Sequence, residues 1–325
     1  MPKSDAIERT LVALSDLRKA RPVNETTKQL RAYLGNRSNL VVAKAAKIAG
    51  ELRLNSLIPD LVGAFERLWV NPARLDKRCA ATTEIITALY QLDYLEPDIY
   101  LRGLHHVQKE ASFGPPIDVA AEMRGISAQG LLRTRHPDAM TGVVSLLVDP
   151  EPSARLGAVR ALSLNGGEAG VLLLRLKLLT GDKDAEIVSE CFSGLMSAAP
   201  EQSLAFVANY MDDNDEVIAE AAIWALGQSR QPAALPLLKE KWERTLDASL
   251  RKAVICAIAA SRLEEASDYL CAQLNSVNVR TAGDILEALA KYASSEKVKR
   301  SAASAVEQRG DRQVIAFFAE HFASR

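Results

Sequence analysis

The sequence predicts an all-α chain: a right-handed α-solenoid (α–α superhelix) of about eight helical hairpins, with a capping helix at each end. Three observations carry this. The 325 residues include 50 Ala and 43 Leu but only 5% aromatics, and Ala and Leu are among the strongest helix formers. Apolar residues recur at i, i+3, i+4 and i+7, with no sustained alternation of the kind a strand needs. The apolar blocks themselves recur along the chain, the signature of a repeat architecture.

Frame origins at Val42, Arg78, Glu122, Arg155, Val188, Ala219, Arg251 and Ala282 are separated by 36, 44, 33, 33, 31, 32 and 31 residues. Three residues on stand Ala45, Ala81, Gly125, Ala158, Cys191, Ala222, Val254 and Ile285. Seven on stand Ala49, Ile85, Gln129, Leu162, Leu195, Leu226, Ile258 and Leu289. The block at Arg78 keeps this register least well.

The elements follow in order. Residues 4–24 read as an N-terminal cap, with Ile7, Leu11, Leu14 and Leu17 on one side of a helix over Ser4–Lys19. Residues 25–107 hold the first repeats, 108–118 an irregular loop (QKEASFGPPID), and 119–310 the regular repeats. Residues 311–325 form a C-terminal cap carrying Val314, Ile315, Phe317 and Phe318, and the whole chain reads as one solenoid. Between origin helices lie second apolar helices such as Ser56–Trp69, Ala139–Val148, Ser203–Met211 and Ala234–Trp242. Six residues before each origin stand Asn36, Pro72, Pro116, Asp149, Asp182, Asp213, Thr245 and Ser276, residue types that end one helix and cap the next. A helix pair of this length cannot bury its apolar face alone, so neighbours must stack.

At Leu146–Ser163, LLVDPEPSARLGAVRALS, the sequence resembles the HEAT-repeat family: Asp149, Pro150, Arg155, Ala158, Ala161 and Leu162 stand where that pattern has Asp-Pro, Arg and Ala-Leu. Asp215–Gly227, DEVIAEAAIWALG, is similar. The repeats look like the short bacterial HEAT-like type also found in bilin lyase subunits. The resemblance covers roughly residues 25–310 and implies architecture rather than activity. An origin Arg is kept only at 78, 155 and 251.

Composition narrows the partners. The net charge is -1, and Lys and Arg are dispersed rather than gathered into the basic stripe that nucleic acid demands. The inner-face Lys44, Lys47, Arg124, Arg160 and Lys291 are offset by Glu51, Glu190, Asp284 and Glu287, which argues against a DNA-repair solenoid. Cys79, Cys191, Cys256 and Cys271 form no C-x-x-C, so reduced thiols in the cytoplasm are expected. The N-terminus lacks the apolar core of a signal peptide, and the apolar run Gly170–Leu179 is interrupted by Arg175 and Lys177 and too short to span a membrane.

Catalytic and nucleotide-binding motifs are missing: no G-x-x-x-x-G-K-[ST], G-x-G-x-x-G, G-x-S-x-G or H-E-x-x-H occurs. His105, His106, Asp118 and Glu122 gather around the irregular loop, the two acids spaced i, i+4 on one expected helix face. Such a set would suit a divalent metal. The same residues also read as ordinary helix-end charges complementing the macrodipole. No metal and no cofactor is expected.

Helix geometry places the second, fifth and ninth residues after each origin opposite the core columns. In most repeats these positions are charged or small and polar. In the sixth and seventh they read Ala221, Trp224, Gln228 and Ala253, Cys256, Ala260. A Trp on an outward face is a binding hot spot by type, so these six residues are the predicted partner-binding patch. The expected function is a non-catalytic scaffold that holds a protein or peptide on its concave face, with no nucleic acid and no membrane as partner. The alternative is an enzyme or chaperone-like subunit of the bilin-lyase type, with a small ligand touching Trp224 and the His105–Glu122 region.

Overall fold

The computed structural model describes residues 3–17, 23–292 and 295–322. Of the expected caps, residues 18–22 and 323–325 lie outside the described residues. The fold is all-α, with helix pairs stacked as in a solenoid, and it divides into two compact units, Met1–Leu173 and Leu174–Arg325.

In the first unit α1 (Lys3–Leu17) and α2 (Val23–Leu34) precede α3 (Asn39–Glu51), and α4 (Ile58–Trp69) and the short α5 (Pro72–Leu75) lead to α6 (Ala80–Gln91). Then come α7 (Pro97–Leu104), α8 (Ala121–Thr134), α9 (Ala139–Leu146) and α10 (Pro152–Asn165). The helices α3, α6, α8 and α10 pack in succession as an inner layer, and α1 stacks on α3 through buried Leu14. α11 (Gly167–Thr180) carries the chain across the division.

The second unit continues with α12 (Ala185–Ala198), α13 (Pro200–Ala208), α14 (Glu216–Gln228), α15 (Ala234–Arg244) and α16 (Ala248–Ala260). It ends with α17 (Glu264–Gln273), α18 (Val279–Tyr292), α19 (Glu296–Arg309) and α20 (Arg312–Phe322). Here α12, α14, α16 and α18 form the inner layer, and α20 stacks on α18 as one more inner helix, burying Val314 and Phe322.

Three local features depart from the sequence reading. The loop at 108–118 closes as a small antiparallel hairpin, β1 (Lys109–Glu110) with β2 (Ile117–Asp118), pairing Lys109 with Asp118 and Glu110 with Ile117. Asp149, Asp182 and Asp213 do not cap helices. Each accepts from the backbone N–H two residues on, making a turn that delivers the following residue to the cap. The helix caps themselves include Asp184, Asp215 and Asp247, whose carboxylates accept from Glu186, Val217 and Leu250 N–H. At the irregular second block the origin Arg78 stands before α6 and not in it, with Arg78 and Cys79 both left-handed at φ 63° and 50°.

Candidate partner-binding site

Glycine sets how closely inner helices meet. A Cβ on Gly227 of α14 would fall 2.3 Å from the Ala257 carbonyl oxygen of α16, so these two backbones touch. On α16 the second, fifth and ninth positions after the origin are the small residues Ala253, Cys256 and Ala260. Across that low floor the Trp224 ring of α14 reaches the Tyr292 ring of α18, with centroids 5.3 Å apart and planes at 70°. Helices two repeats apart are thus joined by an edge-to-face aromatic contact.

The predicted patch is less open than its helix frame implies. Trp224, Ala221, Ala253 and Cys256 are half-buried rather than open, Ala260 is buried at 8% exposure, and Gln228 alone of the six is exposed. α16 packs between α14 and α18, whose rings meet across it, so a frame that treats each helix face alone overstates the exposure of its outward positions. Tyr292 belongs to the site and was missed. It stands one position past Lys291, off the column of outward positions, so the helix frame does not select it.

Charge flanks the bridge. Lys252 Nζ lies 2.8 Å from Glu287 and 3.1 Å from Asp284, and these two hydrogen bonds, Glu287 first, raise its pKa. The same Lys252 bond lowers the Glu287 carboxyl below its ordinary value. Lys291 Nζ sits 5.0 Å from the Tyr292 centroid as a cation–π contact. Burial, the largest influence on Cys256, raises its thiol pKa, which disfavours the nucleophilic thiolate. Beyond Gln228 a cavity of about 440 Å³ opens between the ends of α12 and α14, lined by Ser193, Met196, Ser197, Ala225, Gln228 and Gln231 among others.

The second predicted cluster does not come together. Asp118 lies in β2 and not on α8, so it shares no helix face with Glu122, which is exposed. His105 is exposed, and His106 packs on Trp69 at 4.7 Å. Among the described residues no group of three or more His, Cys, Asp or Glu is placed to hold a metal ion. Asp118 accepts instead from Arg124 Nη1 at 2.6 Å, Gln108 N at 3.1 Å and Ala120 N at 3.0 Å.

Arg124, expected to face outward, is 3% exposed and completes a buried ion cluster. Its Nε and Nη2 each reach an oxygen of Asp149 at 3.0 Å, and Nη1 also donates to the His106 carbonyl at 3.0 Å. Ser127 and Leu131, the fifth and ninth residues after the same origin Glu122, are fully buried as well. The hairpin and the close approach of α7 and α10 cover the face that the helix register leaves open. Burial opposes the charge on Asp118, but the Ala120 N–H, Arg124 and the Gln108 N–H together hold its carboxyl below the usual range.

No helix among the described residues is long and apolar enough to cross a membrane. Residues 172–259 and 204–290 match the family of HEAT repeats. No curated protein matches the sequence. Among solved structures, the chain is similar to the complex of CpcE and CpcF of phycocyanin lyase from Nostoc sp. PCC7120, at 14% identity over 89% of this chain and 96% of that one, with a TM-score of 0.38. It is also similar to human deoxyhypusine hydroxylase in complex with glycerol (19% identity, 78% and 94% coverage, TM-score 0.30). An engineered protein aligns at 15% identity over 96% of this chain and 94% of its own, with a TM-score of 0.38. The similarity to HEAT repeats thus covers residues 172 to 290.

Proposed function

We propose that the chain is a cytoplasmic binding scaffold, without chemistry of its own, that holds a protein or peptide partner on the inner face of α14, α16 and α18. The observation that carries this reading is the Trp224–Tyr292 bridge: two large rings, fixed against each other and half-exposed, above a floor of small residues. A partner meeting such a pair gains aromatic contact area while little side-chain freedom is left to lose. The Lys252, Asp284 and Glu287 group beside it supplies polar contacts that would fix orientation.

The test is a photo-crosslinking amino acid placed at exposed Gln228, compared with one at Lys239 on α15, followed by mass spectrometry of products formed in source-cell lysate. A product expected from position 228 should be absent from position 239 and should vanish when Trp224→Glu is added to a chain that still melts cooperatively. The same products from both positions, or none from 228, would sink the scaffold reading.

A further inference from the structure

We propose that a pocket at the head of α16 and α18 receives a carboxylate side chain of an acidic peptide. This rests on the scaffold reading above and specifies the chemistry of the partner.

The pocket has a volume of about 320 Å³ and is lined by Leu246, Arg251, Lys252, Ile255, Arg280 and Asp284, together with small and polar neighbours. Three cations and one carboxylate, Asp284, line it; Lys252 is held by both Asp284 at 3.1 Å and Glu287 at 2.8 Å, so the two arginines carry the positive excess. Arg251 donates to the Thr245 carbonyl at 3.0 Å and lies 4.7 Å from the Trp242 centroid, contacts that orient its guanidinium without neutralising it. Arg280 makes no hydrogen bond or ion pair among the described residues. Asp247, which caps α16 by accepting from Leu250 N–H at 2.8 Å, is not among the residues that line the pocket.

Two arginines in a concave site with an apolar wall at Ile255, itself 1% exposed, concentrate positive potential there. A guanidinium fork matches a carboxylate in shape and charge. Leu246, 92% exposed at the rim, offers an apolar contact to the residue beside the acid. Lys252 links the pocket to the rest of α18, since it lines the pocket beside Asp284 and is also bonded to Glu287.

The experiment is fluorescence anisotropy of the full chain with a short fluorescein-labelled peptide alternating Glu and Leu, beside a counterpart with Gln for every Glu. Binding of the Glu peptide is expected to weaken about tenfold in Arg280→Gln, and the Gln peptide to bind wild type about tenfold more weakly than the Glu peptide. Raising salt from about 50 to about 200 mM should weaken the Glu peptide further. Equal affinity in Arg280→Gln, or equal affinity for the Gln peptide, would overturn the proposal. So would displacement by inorganic phosphate at constant ionic strength, since the pocket would then be a free-anion site. Selective binding of the Glu peptide with no crosslink from position 228 would keep the pocket and remove the scaffold reading. A crosslink from 228 without that selectivity would do the reverse.

Discussion

Replacing Arg124 with alanine is expected to destabilise the first unit by about 3–5 kcal/mol, because two carboxylates would be left at a largely buried site without their cation. The loss should appear as an earlier first transition in urea, followed by far-UV circular dichroism. Arg124→Lys should recover little of it. A single ammonium cannot make the paired bonds to Asp149 and still reach Asp118 and the His106 carbonyl. Acid separates this account from simple loss of packing. Asp118 has its pKa lowered in the folded chain, so its contribution is complete above the unfolded value of about 3.9 and fades as pH falls through the folded value. The gap between wild type and Arg124→Ala should therefore shrink below about pH 4. A variant as stable as wild type, or a gap that does not narrow in acid, would contradict the ion cluster's role.

A second large effect is expected at Gly157. A Cβ there would lie 2.2 Å from the Gly125 Cα and 2.8 Å from its carbonyl carbon, and the reciprocal Cβ on Gly125 would lie 2.9 Å from the Gly157 Cα. These are backbone atoms, so relief requires α8 and α10 to separate. Gly157→Ala should cost about 3 kcal/mol in urea unfolding, at the upper end for overpacking, even though alanine is the better helix former by about 1 kcal/mol. Gly63 provides the contrast. It is exposed within α4, nothing lies within 4 Å of its added Cβ, and Gly63→Ala should stabilise by up to about 1 kcal/mol. If Gly157→Ala also stabilised the chain, the close crossing of α8 and α10 would be refuted.

The inner helices were legible because their small and large apolar columns recur in one register, and burial of one face is what such columns record. Origins at Val42, Glu122, Arg155, Val188, Ala219, Arg251 and Ala282 all fall within helices. Arg78 does not, because two left-handed residues delay the start of α6. The burial of Arg124 was not legible, since its partners Asp118 and Asp149 lie on a hairpin and a turn that helix periodicity does not describe. Tyr292 was missed for a related reason. Its neighbour Trp224 is two repeats away, and a reading made helix by helix sees no contact beyond the adjacent helix.

That same span has a consequence for how the second unit comes apart. In a stack where each repeat touches only the next, opening can spread from an end one hairpin at a time. The Trp224–Tyr292 bridge ties α14 to α18 over α16, so releasing the middle helix disturbs a contact between its two neighbours. The three should open together, with matching hydrogen-exchange protection on the amides of α14, α16 and α18, as one cooperative block rather than a row of separate turns.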